Sequence, residues 1–353
     1  MINSIRDLNI IPGHIKCGKN NSITDVYGVK VGNKTLDSGC MKTGVTAIIP
    51  HSGNTYKDKV MASSHVINGF GKSIGILQIE ELGNLETPII LTNTLSTGIA
   101  QTALVKYMLD NNDDIGLTTG TVNCVIGECN DGILNSIREL YVTENDVLEA
   151  IKSADVNFQQ GNVGAGTGMI CYQLKGGIGS SSRIVELDNK EFTIGTLVLS
   201  NFGSLEDLVV NGNPLGKKIK TRLESEDYQD KGSIMVVIAT DIPLSSDQLK
   251  RLCKRAQSGI ARTGGYTGNG SGEIVISFST GNIIPHYPDS DFINIKTMNS
   301  DKLDIVFKAV VESTEESILN SLICSSTTIG RDNKEVKSLV EFKNLFKENS
   351  HER

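Results

Sequence analysis

Thr196-Leu-Val-Leu-Ser-Asn-Phe-Gly-Ser204-Leu-Glu-Asp-Leu-Val-Val-Asn-Gly212 sets two segments of strand composition, residues 196–199 and 208–210, around an Asn-Phe-Gly-Ser turn. The plain reading is a hairpin in an α/β protein. The other reading makes Gly203–Ser204 a scissile bond. Its rupture would leave Ser204 N-terminal, with a hydroxyl nucleophile and an amine base whose reference pKa is about 7.7–8.0. Glycine on the acyl side suits such a bond, because it accepts strained dihedrals and leaves room for a tetrahedral carbon. This segment alone leaves both readings open.

Composition bounds the rest. The 353 residues suffice for one large α/β domain. Trp is absent and aromatic residues make up 5%, so Ile, Val and Leu must build the core. Glycine reaches 36 residues against 7 prolines, which predicts tight turns and close backbone approaches rather than low-complexity linkers. The net charge of −7 argues against a nucleic-acid binder. The basic run from Lys250 to Arg255 reads as the polar face of one helix. With no secretory h-region and no 18-residue apolar run, a cytoplasmic location is expected, without a membrane partner. Seven cysteines at irregular spacing form neither a disulfide framework nor a zinc pattern.

Apolar patterning predicts strands within 21–31, 43–50, 88–91, 232–240 and 273–278. Helices are expected at 97–109, at 131–140, and at 144–154 with Thr143 as N-cap. Two more follow, one capped by Ser245 or Ser246 and one after Asp304-Ile-Val-Phe307 to about Cys324. The polar tail after Lys343 is expected to fray. No linker or repeat divides the chain, so residues 1–353 read as one domain of helices packed on large mixed sheets.

Several familiar motifs fail on inspection. Gly69-Phe-Gly-Lys72-Ser73 ends like a phosphate-binding loop, but Val66 stands where the first glycine is required. Gly164-Ala-Gly-Thr-Gly168 has the wrong spacing for a dinucleotide fingerprint, and the Met169-Ile-Cys-Tyr-Gln173 that follows reads as a strand. The five histidines show no metal spacing, and no G-x-S-x-G elbow is present. A hydrolase built on this chain needs a base other than histidine, which strengthens the scissile reading.

An ordered set of motifs then carries a resemblance. It begins with Asn21-Ser-Ile-Thr-Asp-Val-Tyr-Gly-Val, Lys42-Thr-Gly-Val-Thr-Ala-Ile-Ile-Pro-His51 and Asn68-Gly-Phe-Gly-Lys72. Glu86-Thr-Pro-Ile-Ile-Leu-Thr-Asn-Thr94, Gly127-Glu-Cys-Asn-Asp-Gly132, Gly161-Asn-Val-Gly-Ala-Gly-Thr-Gly-Met169 and Lys175-Gly-Gly-Ile-Gly179 continue it. Asn201-Phe-Gly-Ser204, Ala239-Thr-Asp-Ile-Pro-Leu244 and Asn269-Gly-Ser-Gly-Glu273 complete it. In this order the chain resembles the P1-family aminopeptidases, the group of L-aminopeptidase/D-esterase and β-peptidyl aminopeptidase. The resemblance implies an α/β (α+β) fold, a four-layer αββα sandwich like that of N-terminal-nucleophile hydrolases. It also implies autoproteolysis into an α-fragment, 1–203, and a β-fragment, 204–353, with four such pairs in a homotetramer. The implied substrate is a short peptide, amino-acid amide or ester, and no metal or organic cofactor is implied.

Carried over residue by residue, the resemblance makes Ser204 the nucleophile and Asn162 an oxyanion amide, a donor that does not titrate. The alternative for Asn162 is a turn former among glycines. A hydroxyl residue and a carboxylate two positions apart are expected beside the nucleophile. Ala239-x-Asp241 fits by distance from Ser204 but lacks the hydroxyl, whereas Ser271-x-Glu273 has the residue types but lies further along. Either acid would hold the Ser204 ammonium or pass its proton. Glu86 is either a partner for the substrate's amino group or half of a structural ion pair. The expected function is a self-processing serine aminopeptidase. Its rivals are acyl transfer, as in the similarly folded ornithine acetyltransferases, and a glycine-rich ligand-binding protein without chemistry.

Overall fold

The computed structural model describes residues 2–223 and 232–346. The chain opens with a hairpin, β1 (Lys30–Ser38) and β2 (Met41–Ile49), then crosses to a second sheet as β3 (Asp58–Gly69). Helix α1 (Ile76–Leu82) and the short β4 (Asn84–Leu85) lead back to the first sheet as β5 (Ile89–Asn93). Helix α2 (Thr97–Asp110), β6 (Val125–Cys129) and α3 (Glu144–Lys152) follow. A small hairpin, β7 (Ile170–Cys171) and β8 (Leu174–Lys175), precedes the long β9 (Gly177–Leu187) and β10 (Lys190–Asn201). The last third comprises α4 (Leu215–Leu223), β11 (Ser233–Thr240), α5 (Ser246–Arg262), β12 (Gly272–Pro285) and α6 (Asp304–Ile323).

The main strands form two sheets, ordered β1-β2-β5-β6 and β4-β3-β12-β11-β10-β9. One core, including Ile48, Leu91, Val125, Leu197, Val237 and Ile276, lies between them. The outer face of the first sheet packs under α2 and α3 through Ala47, Ile90, Leu104 and Val147. The outer face of the second packs under α5 and α6 through Val198, Val236, Leu252 and Val310. Strand alternation feeds both faces: Ile234, Val236 and Ile238 of β11 meet helices, while Met235, Val237 and Ala239 meet the other sheet. The architecture is therefore a four-layer αββα sandwich.

The predicted helices at α2, α3 and α5 form, and the Thr143 and Ser245 side chains accept N–H groups at their N-termini as expected. Elsewhere local chemistry overrides pattern. Ile23–Asp25 is a 3-10 turn, because Ser22 and Asp25 cap it reciprocally. Residues 131–140 form turns instead of a helix. There Asn135 Nδ2 donates to buried Asp131 (3.0 Å) while Asn135 Oδ1 accepts the Lys42 N–H (3.1 Å). The expected strand Met169–Gln173 is broken by the turn between β7 and β8. Residues 208–210 form no hairpin with β10; a 3-10 turn, Leu205–Asp207, and a lone bridge between Val210 and Asn213 replace it. The polar tail beyond residue 346 lies outside the described residues.

Register determines what meets at each end of the large sheet. β10 runs antiparallel to β11, with Asn201 opposite Ser233 and Ile194 opposite Thr240. β11 and β12 are parallel, joined through α5, with Ser233 beside Gly272. β3 is antiparallel to β12, with Gly69 opposite Gly272. One end of the sheet thus gathers the finish of β10 and β3 and the start of β11 and β12. Ser204 belongs to this end.

Helix α6 lies on β9 and β10 through polar side chains. Thr196 Oγ1 pairs with Ser313 Oγ (2.7 Å), and Ser200 Oγ with Ser321 Oγ (2.6 Å). A Cβ on Gly179 would lie 1.9 Å from the Ser317 carbonyl, so glycine sets the approach. Within this layer the fully buried Arg183 meets Glu312 (3.2 Å) and Glu316 (2.8 Å) and donates to the Pro12 carbonyl (2.7 Å). Burial pushes the Glu312 carboxyl up, but N–H groups of Ile15 and His14, with Arg183, hold it below its ordinary value. Arg183→Met removes the buried counter-charge of Glu312. The variant is expected to lose about 3–5 kcal/mol of stability, read as a lower urea midpoint.

Candidate active site

The corner at Gly203–Ser204 is built by its neighbours. Gly203 has φ +89°, and a Cβ there would lie 2.4 Å from Cε1 of the Tyr172 ring, so no other residue fits. Just before it, Asn201 Nδ2 donates to the Asn130 carbonyl (3.0 Å) and its Oδ1 accepts the Ile170 N–H (2.9 Å). The Tyr172 N–H donates to the Phe202 carbonyl (2.7 Å). Gln173 Oε1 accepts the Leu205 N–H (3.0 Å), and the Asp207 N–H donates to the Ser204 carbonyl (3.0 Å). Ser204 itself is buried. A cleft of about 490 Å³ opens beside the corner, lined by Asn130, Ile133, Ile170, Gln173, Asn201 and Gly203 among others.

The register separates the two candidate carboxylates. Ser271 and Glu273, both buried, flank the first residue of β12, at the end of the sheet where Ser204 lies. Ser271 Oγ has no partner among the described residues. Asp241 follows the opposite end of β11, roughly 23 Å away along the strand at ~3.3 Å per residue, and accepts the Thr193 N–H (2.7 Å). Its carboxyl is raised by burial, but it cannot neighbour Ser204. Sequence separation misleads here because α5 must return the chain to the starting end before β12 begins.

Glu86 is likewise placed by the structure, and away from the corner. It is buried beside β4, accepts from Gln78 Nε2 (3.1 Å) and the Asn123 N–H (2.7 Å), and pairs with Lys59 Nζ (2.8 Å). Its β4 neighbour Leu85 pairs with Val60, which faces Ile283 at the far end of β12. Glu86 thus sits in a structural ion pair with Lys59, at the end of the sheet away from Ser204. Asn162 Oδ1 accepts the Ser326 N–H (3.1 Å) and lines a different cavity, of about 860 Å³, with Ile323, Cys324 and Glu341 among others. The two cavities share no lining residue.

Sequence reasoning passed over Tyr172, Gln173, Asn201 and three buried charges. Glu128 of β6 accepts the Lys72 N–H (2.8 Å) and the Thr94 hydroxyl, two residues before the cleft residue Asn130. Lys175 is fully buried and donates to the carbonyls of Gly166 (3.0 Å), Met169 (2.8 Å) and Gly176 (2.8 Å), tying the glycine-rich loop to β9. Burial pulls its ammonium down to about 7, against the opposing pull of Asp131. These residues stood in quoted motifs, and an ionisable residue set among glycines or inside an apolar run was the available signal.

Asp131 gives a pH signature. Burial pushes its carboxyl from 3.8 up to about 7, against hydrogen bonds from Thr43 and Asn135. The folded pKa lies above the unfolded one, so this contribution is complete below about pH 4 and is lost as pH rises through about 7. Asp131→Asn removes the titration. Urea unfolding between pH 4.5 and 8 should show wild type losing on the order of 2–4 kcal/mol relative to the variant; parallel pH profiles would contradict this assignment.

Among the described residues no group of three or more His, Cys, Asp or Glu side chains is arranged to hold a metal ion, and no helix is long and apolar enough to cross a membrane. All seven cysteines are free thiols. The profile of Peptidase family S58 matches residues 21–336. Beta-peptidyl aminopeptidase BapA of Sphingosinicella microcystinivorans is 38% identical over 348 residues, 92% of this chain and 86% of that protein. The PH0078 protein of Pyrococcus horikoshii OT3 superposes with a TM-score of 0.92 at 49% identity, over 97% of this chain and 98% of that one. The L-aminopeptidase D-Ala-esterase/amidase of Ochrobactrum anthropi is a prototype for the serine aminopeptidases and a variant of the N-terminal-nucleophile hydrolase fold. It gives 0.89 at 37% identity, over 97% of each chain. With its αββα sandwich and its motifs in order, the chain is a hydrolase that belongs to peptidase family S58.

Proposed function

We propose that this aminopeptidase-family hydrolase activates itself by breaking Gly203–Ser204 and then uses Ser204 as an N-terminal nucleophile. The observation that carries the reading is the corner itself: an obligatory glycine at φ +89°, then a buried serine, at the sheet end that also holds Glu273. In the first step Ser204 Oγ attacks the Gly203 carbonyl carbon. The C–N bond breaks, the nitrogen takes the hydroxyl proton, and an ester links Gly203 to Ser204. Water hydrolyses the ester to a Gly203 carboxylate and restores the hydroxyl. Fragments 1–203 and 204–353 result.

In turnover the Ser204 amine takes the Oγ proton as Oγ attacks the carbonyl of the substrate's first residue, and gives it to the leaving amine. Water then releases the acyl group. Glu273 holds the Ser204 ammonium between steps, with Ser271 beside it. For the oxyanion, the resemblance supplies Asn162, together with backbone N–H groups. Glu128 takes the role Glu86 vacates, receiving the substrate's amino group. The substrate class is a short peptide, amino-acid amide or ester, in keeping with relatives named for β-peptidyl and D-Ala ester or amide activity. A cytoplasmic location and a homotetramer of fragment pairs belong to the same proposal, supported by composition and by the resemblance.

Mass spectrometry of purified protein is expected to give two fragments meeting at 203/204, and Ser204→Ala a single inactive chain. An intact wild-type chain with full activity would refute the mechanism. Glu128→Gln should raise KM about tenfold for an aminoacyl p-nitroanilide, about the loss of one charged hydrogen bond, with less effect on kcat. An unchanged KM would remove Glu128 from the amine site.

A further inference from the structure

Tyr172 and Gln173, the two residues joining β7 to β8, both lie in the left-handed region, at φ +52° and +58°. A two-residue hairpin loop of type I′ needs this conformation at both positions, and Asn-Gly or Gly-Gly supplies it without strain. Here a tyrosine and a glutamine occupy it. Strain of this kind persists only where the surroundings enforce it, and it points to a use.

Both residues contact the scissile corner. The Tyr172 N–H holds the Phe202 carbonyl, its ring covers the Gly203 Cα edge-to-face with Phe202 (5.1 Å between centroids), and its hydroxyl is fixed by Thr263 Oγ1 (2.8 Å). Gln173, half-buried in the cleft wall, holds the Leu205 N–H through Oε1 (3.0 Å). The turn therefore grips the chain on both sides of Gly203–Ser204. After cleavage the Tyr172 bond stays within fragment 1–203, whereas the Gln173 bond crosses to fragment 204–353 beside the new N-terminus.

We infer that the Tyr172–Gln173 turn is the positioning device for self-cleavage, with Gln173 holding Leu205 so that Ser204 Oγ faces the Gly203 carbonyl and, afterwards, holding the freed N-terminus in place. This inference rests on the self-processing reading above. It assigns Gln173 a positioning role through its acceptor oxygen.

The test follows fragment appearance in freshly synthesised chain for wild type, Gln173→Met and Gln173→Glu. The Met variant keeps the side-chain length without the acceptor, and is expected to cleave at least about tenfold more slowly with an unchanged Tm. The Glu variant keeps an acceptor and is expected to cleave within about threefold of wild type, since the hydrogen bond is retained. In the matured Glu variant the added carboxylate also stabilises the Ser204 ammonium, so the rising limb of its kcat/KM–pH profile moves to higher pH. A purely structural role would not move that limb. Equal rates for Met and wild type would overturn the inference, as would a Glu variant no faster than Met or an unshifted profile. Should Gln173→Met lower Tm, the Glu variant's cleavage rate and pH profile decide alone. A wild-type chain that never cleaves would refute the self-processing reading itself, and this inference with it; cleaving wild type with an equally fast Met variant refutes only the latter.

Discussion

The opposed direction of β10 relative to β11 and β12 governs this molecule. A parallel pair cannot be closed by a tight turn, so α5 carries the chain back before β12 begins. Because β10 is antiparallel to that pair, it finishes at the end of the sheet where both of them begin. Ser204, Ser271 and Glu273 therefore share one sheet end although α5 and β11 intervene in sequence. The same geometry sends Asp241 and Glu86 to the other end, where each is satisfied by local partners.

The corner at Gly203 depends on a second constraint, over-determination of an unfavourable backbone. Asn201 is tied at both ends of its carboxamide, Phe202 is held through its carbonyl, and Leu205 is held through its N–H. With each neighbour fixed, the glycine cannot relax. Lys175 extends the same logic: its three carbonyl acceptors immobilise the glycine-rich loop that packs against the start of β9.

Much of the fold was legible because its signals are local. Apolar runs marked β5 and β11, and Thr143 and Ser245 marked helix starts through capping chemistry. The site was legible only through the motif order around Ser204. Spacing pointed to Asp241 over Glu273, since sequence distance carries no information about strand direction. The Tyr172–Gln173 turn was illegible because neither residue is a turn former, and tertiary contacts impose the conformation. Arg183 and the serines preceding it are polar yet buried, because α6 presents its own serines, Glu312 and Glu316 to this layer.

A break between Gly203 and Ser204 would not divide this structure into two bodies. In the large sheet, ordered β4-β3-β12-β11-β10-β9, residues 1–203 contribute β4 and β3 on one side and β10 and β9 on the other. Residues 204–353 contribute β12 and β11, the two central strands. The second fragment is thus held by backbone hydrogen bonds along both of its edges, and its α6 covers β9 and β10 of the first. Withdrawing it would expose two rows of unpaired N–H and C=O groups and bare the central core, a cost far beyond one broken peptide bond. Cutting at this position therefore frees an amine at the sheet end while the scaffold that positions it stays closed.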